Sequence, residues 1–114
     1  MDEMNCFVIE GSKKLIFRRE DDRYICFDPE GLEFYEVNET AACILFLVAE
    51  KQKYYDLVTI LCDWFELDRQ TVEEYVRSFF LSFPMKKLIV SNLIMLGVPA
   101  ECIIEKEEIK ILNN

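Results

Sequence analysis

A chain of 114 residues is long enough for one domain with a real hydrophobic core and too short for two. With 52% hydrophobic and 31% charged residues it is neither disordered nor fibrous, and its net charge of −9 disfavours phosphate backbones and anionic membranes as partners. The absence of histidine removes Ser–His–Asp and Cys–His catalysis.

From the N-terminus, Cys6 to Ile9 can supply a short strand. In Lys14-Leu15-Ile16-Phe17-Arg18, Leu15 and Phe17 share one face, the period of two that marks a half-buried strand. After the polar Glu20-Asp21-Asp22, the tract Arg23 to Phe27 returns as a hairpin partner. Asp28-Pro29-Glu30-Gly31 brings turn chemistry, with Gly31 expected to take the positive φ that re-enters a strand, and Leu32 to Val37 forms that strand. The expectation is a three-stranded antiparallel meander. Lys13, Lys14, Arg18, Arg19 and Arg23 crowd into eleven positions, but alternation divides them between two faces, the pattern of a solvated sheet edge.

The period changes at Asn38, whose side-chain oxygen can cap a helix running from Glu39 to about Lys51. Ala41, Ile44, Leu45 and Val48 follow the helical spacing, and Cys43, Phe46 and Leu47 make the opposite side apolar too, so this helix is expected to be central. A second helix spans about Tyr55 to Phe65, with Leu57, Ile60, Leu61, Trp64 and Phe65 on its buried face. Asp68 caps a third, in which Val72, Val76, Phe79 and Phe83 form the apolar stripe. Beyond Pro84, Met85 to Leu96 reads as a helix with Pro84 at its first position and Gly97 past its end. Leu88-Ile89-Val90 and Ile109-Lys110-Ile111-Leu112 carry strand patterns as well; a helix followed by a strand is the expectation.

Chemistry-bearing constellations are absent from the pattern. Cys6, Cys26, Cys43, Cys62 and Cys102 are too dispersed for a metal knuckle or a redox pair, and Cys26, Cys43 and Cys62 sit inside apolar runs where a thiol acts as a small hydrophobe. Gly11, Gly31 and Gly97 are isolated, so no phosphate loop exists. Paired carboxylates such as Glu73-Glu74 and Glu107-Glu108 read as solvated faces. The expectation is a chain without catalytic residues, metal or cofactor. No signal-peptide pattern leads the chain, and the longest apolar run, Ala41 to Ala49, is far short of the ~20 residues of a membrane span, so a cytoplasmic location is expected.

Three strands, a capped helix and two further helices follow the order of a winged helix-turn-helix, an α+β class. Within residues 24 to 83, Tyr35-Glu36-Val37-Asn38-Glu39-Thr40-Ala41-Ala42 resembles the "LNETA" signature of the pyrroloquinoline quinone synthesis protein D (PqqD-like) family. Ile44, the pair Leu57 and Leu61, Leu67-Asp68 and Val72 to Phe83 match its spacing. Two departures stand out: Lys51-Gln52-Lys53-Tyr54 replaces a Gly-rich turn, and the chain continues after the third helix. The division is a recognition domain over 1–84 with an extension over 85–114 packed on it.

The resemblance implies a recognition element for ribosomally made peptides that are later modified. In such a protein the leader of the precursor peptide adds a strand to the third strand beside the third helix. It also implies a separate modifying enzyme as partner, a radical S-adenosylmethionine enzyme or a peptidase–cyclase. Carried onto this chain, the binding residues are Glu33, Phe34, Tyr35, Glu36 and Val37 on the strand with Tyr75, Val76, Phe79 and Phe80 on the helix. Among these, Val37, Val76 and Phe79 lean to the core and Tyr75 and Phe80 to the groove. A DNA-binding winged helix shares the architecture but calls for a basic third helix, and Glu66, Asp68, Glu73 and Glu74 outnumber Arg69 and Arg77 there. A structural subunit of an enzyme complex is the third reading. An open sheet edge can equally pair with a second copy, which leaves a homodimer open.

Overall fold

A computed structural model describes residues 2–104. The structure is an α+β fold with a four-stranded antiparallel sheet of order β1-β2-β3-β4, formed by Cys6–Glu10, Lys14–Glu20, Arg23–Asp28 and Glu33–Asn38. The sheet therefore has four strands and not three. Cys6–Glu10 is a full partner of β2, with Phe7 opposite Phe17 and Ile9 opposite Leu15. Alternation decides the faces: Phe7, Ile9, Leu15, Phe17, Tyr24 and Cys26 are all buried on one side, where the Phe7 and Phe17 rings stack at 4.7 Å.

The β3–β4 turn corrects the reading of Gly31. The positive φ belongs to Leu32, at 55°, whereas Gly31 is needed for space. Asp28 folds its carboxylate back over the turn to accept the Glu30 N–H at 3.0 Å, and a Cβ on Gly31 would lie 2.6 Å from Asp28 Oδ2.

Helix α1, Glu39–Ala49, begins where Asn38 Oδ1 accepts the Ala41 N–H at 2.8 Å. It buries Ala41, Ala42 and every residue from Ile44 to Val48, as expected of a central helix. Helix α2, Tyr54–Phe65, buries Leu57, Val58 and Leu61; Ile60 and Phe65 are half-buried and Trp64 is exposed, so its inward face is narrower than the sequence suggests. Asp68 Oδ1 accepts the Thr71 N–H at 3.2 Å and caps α3, Arg69–Ser82.

After Pro84 the expected single helix is broken. Pro84–Leu88 is a 3-10 turn, Ile89 leaves helical geometry at φ −124°, and α4 covers Val90–Met95, with Gly97 at φ +79° beyond it. Met85, Ile89, Leu93 and Leu96 nonetheless keep a helical apolar period across the break and enter the one core cluster. Residues 88–90 are not a strand. A short α5, Ala100–Ile103, follows Pro99. The Cys26 thiol donates to Met85 Sδ at 3.4 Å, which ties this region to the inner face of the sheet. The strand expected at Ile109 to Leu112 lies outside the described residues.

Candidate functional site

The sheet has two edge strands, β1 and β4; β4 has β3 on one side and no strand on the other among the described residues. In an antiparallel edge strand every second residue turns its N–H and C=O away from its partner. Only Val37 of β4 is buried; the other five residues are exposed, although two of them are Phe34 and Tyr35. An edge strand with uncovered aromatics is the sort of surface that pairs with another backbone.

Helix α3 flanks this edge and leaves a groove of ≈ 340 Å³ between itself and the strand. Its lining is Tyr35, Glu36, Val37 and Asn38 from β4, Ala41 from α1, and Tyr75, Ser78, Phe79, Ser82 and Phe83 from α3 or its C-cap. The rings fall into two groups, a Tyr75 pair with Phe65 behind the groove and a Tyr35–Phe83–Phe79 run along its wall. Phe65 lies 6.4 Å from Tyr75, Phe79 stacks on Phe83 at 5.0 Å, and Phe83 meets Tyr35 edge-on at 5.8 Å. The groove therefore offers aromatic surface beside unpaired backbone groups, with Glu36, Asn38, Ser78 and Ser82 as its polar lining residues.

Of the nine residues the sequence singled out, five line this groove: Tyr35, Glu36, Val37, Tyr75 and Phe79. Two expectations exchange places. Phe80, expected at the groove, is fully buried, and Phe79, expected in the core, is a half-buried wall residue. The buried stripe of α3 runs Val72, Val76, Phe80 and then Phe83, so it keeps three of the four expected positions and takes Phe80 in place of Phe79. Val76 is fully buried and touches no open surface. Phe34 is 69% exposed but lies opposite Phe27 on the face of the sheet turned away from the helices, and Glu33 is exposed at the strand's start. Missed by the sequence reading were Asn38, Ala41, Ser78, Ser82 and Phe83; Phe83 was visible only as a member of the apolar stripe.

The electrostatics of α3 bear on the DNA-binding alternative. Arg77 pairs with Glu74 at 3.1 Å and Arg69 with Glu73 at 3.6 Å, so each arginine of the helix faces a carboxylate of the same helix. Such a helix presents little net attraction for a phosphate backbone. Among the described residues there is no cluster of His, Cys, Asp or Glu able to hold a metal ion, and no helix is long and apolar enough to cross a membrane. The five cysteines are free thiols; burial pushes Cys26 up to about 12 and Cys102 up to about 11, which keeps both protonated near neutrality.

Comparison with protein families matches residues 23–89 to the model described as Coenzyme PQQ synthesis protein D (PqqD). That span is more than half of the chain and runs from β3 through the 3-10 turn, containing both walls of the groove. The chain belongs to the PqqD family. No curated protein and no solved structure matches it. Membership gives the chain a place in the biosynthesis of PQQ or of other ribosomally made, modified peptides, and with it an association with a biosynthetic enzyme and a peptide. Strands β1 and β2 and helices α4 and α5 lie outside the matched span, so the PqqD-like part is extended here at both ends of the described chain.

Proposed function

We propose that the chain binds the leader of a ribosomally made precursor peptide as an added strand on β4 and presents it to a separate modifying enzyme, itself performing no chemistry. The observation that carries this reading is the pairing of an open strand edge with an aromatic groove between β4 and α3. Ordering ~6 leader residues costs on the order of 6–12 kcal/mol, and each net backbone hydrogen bond returns only about 1 kcal/mol. Backbone pairing alone is insufficient. Two or three apolar leader side chains, each contributing ~1.5–3 kcal/mol on burial, make up the difference. A groove walled by Tyr35, Tyr75, Phe79 and Phe83 has room for them.

The modifying partner is a radical S-adenosylmethionine enzyme or a peptidase–cyclase by family analogy. The winged-helix reading as a DNA-binding regulator finds less support, because the arginines of α3 are committed to its own glutamates. The test is a titration of the full chain with the leader encoded beside its gene. Binding that protects β4 amides from hydrogen exchange is the expected result. Binding without that protection, or no binding, overturns the proposal.

A further inference from the structure

Strand addition has a consequence for the face of the sheet opposite the helices. Successive residues of a strand point to opposite faces, so a peptide paired with β4 sends only half of its side chains into the groove. The other half emerges on the far face, beside the outward residues of β4. These are Phe34, which lies opposite Phe27, and Glu36, which lies opposite Ile25 and also borders the groove along the strand edge. Tyr35 and Val37, by contrast, lie opposite the buried Cys26 and Tyr24 and face the helices.

The far face is built for apolar company. Val8, Ile16, Phe27 and Phe34 stand opposite one another in register and form a single apolar row across all four strands. The row becomes more exposed toward β4. Val8, Ile16 and Phe27 are half-buried, whereas Phe34, its ring tilted against Phe27 at 4.7 Å, is 69% exposed. A cleft of ≈ 390 Å³ bounded by Ile16, Arg18, Glu20, Ile25, Phe27 and Phe34 opens there. In the neighbouring row Glu36 bonds Arg23 through Oε2 at 3.0 Å, while its Oε1 takes no bond among the described residues.

We infer that this far face is a second recognition surface for the same leader, and that it selects the residues the groove does not see. The inference rests on the strand-addition reading above. A fifth strand on β4 extends the apolar row by one position, so the leader residue beside Phe34 is aromatic or branched aliphatic. Directly opposite side chains on neighbouring strands stand about 4.5–5.5 Å apart, close enough to cover the exposed ring. Two residues along, the leader side chain beside Glu36 is Lys or Arg, completing the carboxylate's second oxygen. Between and beyond these, the residues facing Tyr35 and Val37 are apolar and enter the groove. The ligand class is thus a strand of alternating function: apolar outward, apolar inward, basic outward, apolar inward.

A phage-displayed library of random ten-residue peptides, selected on the immobilised full chain, tests this. Phe34 and Glu36 are exposed, so Phe34→Ser and Glu36→Lys leave the fold intact, which a thermal melt verifies. The expected result is enrichment of the alternating pattern on the native chain. Phe34→Ser erases the preference at the outward apolar position alone and weakens the best peptide about three- to tenfold. Glu36→Lys converts the basic preference to an acidic one. Peptides that depend on Phe79 but are indifferent to Phe34 and Glu36 would overturn this inference and leave the groove standing. Peptides indifferent to Phe79 as well would remove both.

Discussion

Two adjacent phenylalanines of α3 separate the groove from the core, and truncating each should produce opposite phenotypes. Phe80 is fully buried, and removing a ring of that kind costs about 3–5 kcal/mol. For a domain of this size each kcal/mol lowers the melting temperature by roughly 4–8 °C, so Phe80→Ala should lose on the order of 15–30 °C. Phe79 is half-buried and rests on Phe80 at 5.3 Å and Phe83 at 5.0 Å. Its truncation forfeits only part of that burial, about 1–2 kcal/mol. A leader side chain seated on Phe79, however, loses most of its apolar contact, about 1.5–3 kcal/mol, which weakens binding roughly ten- to hundredfold. Thermal melts followed by circular dichroism and a calorimetric leader titration, at a temperature where both variants are folded, read the two effects separately. If Phe79→Ala melts as low as Phe80→Ala, or binds the leader as the native chain does, the assignment of walls and core on α3 is wrong.

Further outcomes follow from the same geometry. Burial raises the pKa of the Cys26 thiol and Tyr54 phenol to about 12, and that of the Cys102 thiol to about 11. A raised folded value means that stability is complete below the unfolded values of 9.0 and 10.0 and is lost as pH climbs toward 12. Urea midpoints should therefore fall across pH 9–12, and a flat profile would refute the burial of these groups. At pH 8 the exposed Cys6 should be alkylated promptly and the buried Cys26 and Cys102 only after denaturation, as mass spectrometry of the native chain would reveal. Asn38→Ala removes the cap of α1 and should cost about 1 kcal/mol in chemical denaturation. The net charge of −9 favours leaders carrying Lys or Arg beside their apolar anchors, so leader affinity should decline from low to high salt; constancy would dismiss the electrostatic contribution.

The parts of this molecule that were legible from residues alone are those governed by local rules. Period two in Leu15 and Phe17, and the caps Asn38 and Asp68, depend on neighbours only a few positions away, and the elements appear where those signals stand. The VNETAA tract pointed to the PqqD family for the same reason: it is a contiguous string spanning a strand end and a helix start. Local rules do not choose between adjacent apolar residues. Phe79 and Phe80 satisfy helical spacing from Val76 at three and four residues respectively, and both could follow a stripe that begins at Val72 and Val76. Only the side on which α2 and α5 pack against α3 places Phe80 inside and leaves Phe79 on the groove wall.

Composition, charge and alternation by themselves determined an acidic α+β domain with an Asn-capped central helix, and no histidine for acid–base chemistry. The tertiary structure decided that β1 is a full strand, that β4 is an edge strand beside a groove, and that Phe34 and Tyr35, adjacent in the chain, look toward different surfaces. The reason is that pairing order and helix rotation are settled by long-range burial. A strand's pattern records how its residues alternate, but which face meets the core and which edge is left open depends on where every other element packs.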